Sequence, residues 1–436
     1  MVLLYQLITW FYFSAIRVAA IFHPKARQWA AGRRGIFTRM EAAFSGQAKG
    51  RTPVVWMHCA SLGEFEQGRP VLENLKKTHP RLKILLTFFS PSGYEMRKNY
   101  PKADWVFYLP DDTFGNARRF LQIVQPSVAI FVKYEFWYFY LSRLKSNRTP
   151  ALLIAASFRP EQPFFKWYGG IHRRMLDCFT CIFAQNELSK NLLTPITQVP
   201  VTVAGDTRID RVLDISKERP PLPLIQKFCG SSPTLVCGST WPKDEKLIAR
   251  AIENGAFNGW KIIIAPHEVN ESHLVSLENR LGLGSIRYSA PASFTTATLP
   301  DAQVLVIDCI GILSHLYRFA RVAYVGGGCQ NSGIHNTLEP AAFGIPLIFG
   351  WNYQRFPEAV YFVNHGGAFT VNDGNELCSV MCYLADAGNY VRSAEVTEGY
   401  LKKNKGATAE IMSKLEVMLS VLAKKKPTSH KGSQLI

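Results

Sequence analysis

The hydrophobic residues of this chain fall mostly into short β-branched runs, separated by longer stretches in which apolar side chains recur every three or four positions. Runs at 54–58, 83–88, 105–108, 128–132, 151–155, 181–183 and 201–204 predict strands, and intervening segments such as 65–78 and 113–124 predict amphipathic helices. Strand and helix alternating in this way specify βαβ units over a parallel sheet. About the first two hundred residues therefore read as one α/β domain.

Prolines interrupt the alternation at Arg219-Pro-Pro-Leu-Pro223, and the same pattern resumes at 234–239, 261–266, 304–307, 322–326, 346–349 and 368–370. A second α/β domain is expected there. Two doubly wound domains in tandem place a cleft between the carboxyl ends of two sheets. The expected divisions are an anchor at 1–22, domains at 23–218 and 219–423, and a basic tail at 424–436.

Residues 2–22 break the alternation, because they are almost wholly apolar apart from Gln6, Thr9, Ser14 and Arg17. As a helix they would reach ~30 Å, about one hydrocarbon core. Trp10, Tyr12 and the following Lys25, Arg27, Arg33 and Arg34 suit a membrane boundary, with the main body on the cytoplasmic side. Arg17 and the spread of aromatics leave two readings open, a full span and a helix lying in one leaflet.

Composition narrows the class. The chain has 436 residues, 47% hydrophobic and 19% charged, which excludes disorder and fits two globular domains. Nine cysteines lack framework spacing and read as reduced core residues, and the Cys178/Cys181 pair has no second ligand pair nearby. A net charge of +17 attracts anions, whether nucleic acid, an anionic membrane or a phosphorylated lipid.

Candidate chemistry lies where strands end. Residues 326–340, GGGCQNSGIHNTLEP, follow a strand and lead into an expected helix at 338–344, so Gly327, Gly328, His335, Asn336 and Glu339 suggest a nucleotide pocket. Ser239 and Thr240 after another strand offer hydroxyls to a phosphate. Pro266-His267-Glu268 and Asp308-Cys-Ile310-Gly311 close further strands. In the first domain, Ser61, Gly63 and Glu64 follow the opening strand, and Gly63 lets the backbone turn closely. Spacing alone favours a capping box for Ser61 and Glu64 over a general base. Glu135 ends another strand, and Arg159 and Arg208 on neighbouring loops suit an anionic substrate.

Read in order, His58-x-x-Ser61-x-Gly63-Glu64, Glu135-Phe-Trp137, Gly205-Asp-Thr-Arg208-Ile-Asp210, Gly238-Ser-Thr240, Gly326-Gly-Gly328 and His335-Asn-x-Leu-Glu-Pro340 resemble the 3-deoxy-D-manno-octulosonic acid (Kdo) transferases, glycosyltransferase family 30. The resemblance implies an α/β GT-B glycosyltransferase, with two Rossmann-like domains facing a cleft and an N-terminal membrane-anchoring helix. It implies an acceptor-binding first domain, a CMP-Kdo-binding second domain, and a phosphorylated lipid A precursor (lipid IVA) as acceptor. It makes Glu64 the catalytic base, reversing the preference for capping. It maps CMP contacts onto Pro266, His267, Ile310, Gly311, Ile312, Asn336, Thr337, Leu338 and Glu339, and places the enzyme on the cytoplasmic side of the inner membrane. Two departures matter: Pro266-His267-Glu268 stands where the family commonly has Pro-Arg-His, and Ile310-Gly311-Ile312 where it commonly has Met-Gly-Glu. No acidic pair is placed for a divalent ion, so neither metal nor cofactor is expected. Nucleic-acid recognition motifs are absent, which sets that partner aside.

Overall fold

The structure is a computed structural model describing residues 1–46, 52–289 and 302–424. The first unit comprises Met1–Asp210 and the chain from Lys405 onward, and the second comprises Arg211–Asn404.

Seven strands form the first sheet: β1 (Val54–Cys59), β2 (Lys83–Phe88), β3 (Trp105–Tyr108), β4 (Val128–Val132), β5 (Ala151–Ala156), β6 (Cys181–Ala184) and β7 (Val201–Val203). They are parallel in the order β3-β2-β1-β4-β5-β6-β7, so chain order reverses between β1 and β4. Such a reversal opens a crevice at the strand ends, where ligands bind in folds of this kind. Inner strands such as β1 and β4 are buried along their whole length, which explains their continuous apolar runs.

The second sheet contains β8 (Thr234–Thr240), β9 (Lys261–Pro266), β10 (Ser285–Arg287), β11 (Val304–Val306), β12 (Val322–Val325), β13 (Leu347–Phe349) and β14 (Ala368–Thr370). Its parallel order is β10-β11-β9-β8-β12-β13-β14, with the reversal between β8 and β12. The strands expected from the pattern are all present within a residue or so at each end. Only β10, a half-buried edge strand of three residues, escaped the pattern, being too short to show a period.

The division of the chain differs from the expected one. The units meet inside the helix Thr207–Lys217, upstream of the prolines, and the last helix belongs to the first unit. Ile411, Met412 and Leu415 of the helix Ala407–Lys424 enter the core beside Val55 and Leu72. The Asp210 carboxylate fixes that return by accepting from Gly406 N and Thr408 N, both at 2.6 Å. Apart from Lys424, the basic tail lies outside the described residues.

At the amino end, α1 (Val2–Ala19) is long and apolar enough to cross a membrane. One stripe of it is tied to the first unit. Phe13 stacks between Trp29 and Trp137 at 5.9 and 6.1 Å, Tyr5 donates to Asp112 at 2.6 Å, and Arg17 pairs with Asp111. The remaining faces are bare: Leu3 is 78% exposed and Phe11 63%. Helices α2 (Pro24–Arg33) and α3 (Ile36–Phe44) follow, and α4 (Leu62–Thr78) begins directly after β1.

Candidate functional site

In the first unit, the loops after β1 and β4 stand side by side at the reversal of strand order. Glu64 is the third residue of α4, with Ser61 as N-cap. Its Oε2 accepts from Ala60 N at 2.5 Å and Ser61 N at 3.1 Å, so the capping box expected from spacing is present. Among the described residues no bond falls on Oε1. Burial pushes the carboxyl up to about 7, with the negative charge of Glu135 adding to it, while the two amides and Lys133 pull the other way. A carboxylate in this range titrates where a general base operates. Capping and a poised carboxyl therefore coexist in one side chain. Gly63 does not serve the close turn expected of it: a Cβ there would meet only Ser61 Oγ, at 4.0 Å.

Glu135 stands behind this residue, buried rather than at a rim. Its Oε2 lies 2.7 Å from His58 Nε2 and accepts from Trp137 Nε1 at 2.7 Å. His58 is anchored in turn by Thr87 Oγ1, 2.9 Å from Nδ1, and Thr87 Oγ1 accepts from Trp56 Nε1 at 2.8 Å. The chain Trp56–Thr87–His58–Glu135–Trp137 fixes the negative charge that tunes Glu64.

Arg159 and Arg208 do not converge on this carboxylate as free cations. Arg159 is exposed after β5, and Asp206 binds the Arg208 guanidinium through Nε and Nη2 at 2.6–3.1 Å. Cys178 and Cys181 form no paired ligand: Cys178 Sγ donates to Arg174 O, while Cys181 is buried in β6.

In the second unit, the glycine-rich stretch takes a form the sequence did not suggest. The helix after it is a single turn, Leu338–Ala341, separated from β12 by a long loop. The Gly326 and Gly327 amides are already spent, on Gly238 O at 2.9 Å and Asp244 Oδ2 at 2.8 Å. Close backbone approach accounts for all three glycines. A Cβ on Gly326 would lie 2.2 Å from Ser239 O, one on Gly327 2.5 Å from Gly333 O, and one on Gly328 2.6 Å from Gly350 N. Thr240 is buried and donates to Glu245 Oε1 at 3.1 Å, so its hydroxyl is also committed. Ser239 alone stays half-exposed, at φ +54.

The His267 ring, just past β9, stacks on Trp241 at 4.6 Å and on His335 at 4.4 Å. Trp241 Nε1 donates to His335 Nε2 at 3.0 Å. Burial, with His267 adding to it, pushes His335 down to about 4, and burial lowers His267 as well. The stack is neutral at physiological pH. Asn336 Nδ2 donates to Glu339 Oε1 at 3.0 Å and its Oδ1 accepts from Leu338 N at 3.1 Å. Burial raises the Glu339 carboxyl, against the opposing charge of Arg211. Thr337 and Leu338 side chains point into the core, at 1% exposure each. Ile310 is exposed, Gly311 turns at φ +105, and Ile312 precedes a short helical turn.

Sequence reasoning overlooked Trp241, Arg211 and Lys133. Trp241 directly follows Gly238-Ser-Thr240 and was the most accessible of them. Lys133 sits at φ +66 at the end of β4, and Ser239 at φ +54 within the end of β8. Both are non-glycine left-handed residues at the reversal points of their sheets, and strain of this type collects at functional sites.

The profile of the 3-deoxy-D-manno-octulosonic-acid transferase (Kdo transferase) family matches residues 33–211. A 3-deoxy-D-manno-octulosonic acid transferase from Haemophilus influenzae is 25% identical over 419 residues, covering 93% of this chain and 94% of its own. One from Aquifex aeolicus is 26% identical over 360 residues, covering 80% and 92%. The chain is thus similar to Kdo transferases along most of its length, a likeness that supports a glycosyltransferase. Among solved structures, UDP-GlcNAc 2-epimerase from Neisseria meningitidis bound to UDP-GlcNAc aligns with a TM-score of 0.58 at 16% identity, over 84% of this chain and all of that one. A putative UDP-N-acetylglucosamine 2-epimerase from Listeria monocytogenes aligns at 0.56 and 11%, over 85% and 97%. These likenesses carry the GT-B type of fold and nothing of the chemistry.

Proposed function

We propose that this chain is a Kdo transferase that moves Kdo from CMP-Kdo to a phosphorylated lipid A precursor, in lipopolysaccharide synthesis at the cytoplasmic face of the inner membrane. The observation that carries the reading is Glu64, a carboxyl raised to about 7 at the reversal point of its sheet with Oε1 unspent. Glu64 takes the proton from an acceptor hydroxyl, and that oxygen forms a bond to the anomeric carbon of Kdo. The bond from that carbon to the CMP phosphate oxygen breaks, CMP leaves with the electron pair, and the configuration inverts.

The second unit holds the donor. Asn336 and Glu339 suit the ribose, and the neutral stack of His267, His335 and Trp241 gives the nucleotide a flat face. At position 267 the chain offers a neutral histidine ring rather than a cation. With the Gly326 and Gly327 amides spent, Ser239 at the end of β8 is left to meet the leaving phosphate. We assign no metal or other cofactor to the reaction.

The bare faces of α1 enter one leaflet while its Tyr5–Phe13 stripe stays on the protein, and the nearby arginines meet anionic headgroups. Product mass after incubation with CMP-Kdo and lipid IVA tests the reading. Each transferred Kdo adds one fixed increment, and an unchanged acceptor mass refutes it.

A further inference from the structure

The second unit contains a cavity of about 480 Å³ that the proposed donor residues do not line. Lys243, Lys246 and Arg250 flank it from the helix Pro242–Glu253, at spacings that set all three on one helical face. Among the described residues neither lysine has an ion-pair partner, whereas Arg250 pairs with Glu253 at 3.0 Å. Leu247 and Cys329, both buried, supply an apolar floor. Trp351, 48% exposed, forms a wall.

The fold holds this wall in place. Asn352 N donates to Gly328 O at 3.0 Å, Asn352 Nδ2 to Gln330 O at 2.7 Å, and Ile334 N to Asn352 O at 3.2 Å. The loop bearing Trp351 is thus laced to the loop after β12. At the far side, a Cβ on Gly374 would come within 2.9 Å of Arg250, so only glycine permits this approach. One oxygen of the nearby Asp373 carboxylate is occupied, Oδ1 accepting from Asn375 N at 2.8 Å and Glu376 N at 2.9 Å. Asn372 is likewise committed, to Glu376 Oε2 at 3.0 Å.

We propose that this cavity binds a phosphorylated saccharide. Two unpaired ammonium groups attract a phosphate as point charges. An aromatic face with negative quadrupole meets the polarised C–H face of a sugar ring, whose hydroxyls remain in water. A nucleobase would demand directional edge partners, and of the side-chain atoms that could read an edge, Asn372 Nδ2 and Asp373 Oδ1 are already bonded. The cavity draws on the helix after β8 and on the loops after β12, β13 and β14. The donor residues lie at the end of β8 and after β9, β11 and β12, on neighbouring elements, but the two sets share no residue.

Calorimetric titration of the full chain, saturated with CMP, against glucose 6-phosphate tests the assignment, with glucose, inorganic phosphate and AMP as parallel probes. Glucose 6-phosphate is expected to bind saturably, and glucose not at all. The double variant Lys243→Ala, Lys246→Ala should weaken binding at least tenfold. Trp351→Ala should weaken the sugar phosphate and leave inorganic phosphate unchanged, with melting curves matching the parent. The proposal is overturned by an absence of saturable binding, by tighter binding of AMP, by displacement with CMP, or by unchanged affinity in the folded variants.

Discussion

His58 Nε2 and Glu135 Oε2 meet at 2.7 Å in the interior of the first unit, on the adjacent strands and loops where chain order reverses. The pair holds a negative charge at a fixed place behind Glu64, and that charge helps to raise the Glu64 carboxyl. Glu135→Gln removes the charge and keeps the shape, so the Glu64 titration midpoint should move down in pH. Site-specific NMR of the carboxyl reads it, and an unmoved midpoint would disprove the coupling. His58→Ala strands a buried carboxylate and should cost about 3 kcal/mol in urea unfolding.

Glu64 itself separates two roles. Glu64→Gln can still accept from Ala60 N and Ser61 N, so capping survives, while proton abstraction does not. Activity should fall ~100-fold or more. The parent rate should rise with pH through about 7 and then level, because the base works ionised. Stability runs the other way. The folded carboxyl lies above its ordinary value of 4.5, so its contribution is fully present below that pH and is lost as pH rises through about 7. The glutamine variant should therefore gain on the parent at pH 8 and lose that gain at pH 4. A variant that stayed active would remove Glu64 from the chemistry.

How legible this was depends on what each feature owes to local pattern. The two sheets could be read because buried parallel strands such as β4 are continuous apolar runs between amphipathic helices. The return of Ile411, Met412 and Leu415 to the first core could not, since a helix face carries no record of which sheet it covers. Glu64 was legible as a cap from spacing and as a base only through resemblance. Its raised pKa comes from burial and from Glu135, which chain order places 71 residues away and the sheet brings alongside. The glycine triplet misled for a related reason. Glycines that cradle a phosphate and glycines that let two backbones touch look alike in sequence, and Gly326 against Ser239 O is of the second kind.

Chelation and nucleotide choice give a compact test of the proposed donor. Turnover should survive EDTA, and a loss that magnesium restores would refute the metal-free mechanism. CMP should raise the melting temperature and UDP should not, since only a ligand bound by the native state stabilises it. An equal shift from UDP would point to a different nucleotide sugar.

For membrane binding, the exposed and packed faces of α1 can be separated. Leu3→Lys with Phe11→Lys charges the bare faces and leaves Tyr5 and Phe13 in their contacts. Flotation with anionic vesicles should fall sharply while melting stays unchanged. Salt should weaken the parent's binding, as headgroup attraction is screened within about 10 Å at 0.1 M. Undiminished flotation of the charged variant would exclude α1 as the lipid contact.

His335 makes the second unit sensitive to acid. Its folded pKa is pushed down to about 4 from 6.5 by burial, with the neighbouring His267 adding to it. The unfolded chain therefore binds the proton first, and the stability contributed by the neutral ring is complete above about 6.5 and lost as pH falls through about 4. His335→Gln gives up the stack but has no proton to take. Its melting temperature should be lower than the parent's at pH 7.5 and should approach it at pH 4.5, because only the parent loses this term. Parallel pH curves for parent and variant would show that His335 keeps its ordinary pKa in the folded protein, and would undo the buried stack assigned to the nucleotide.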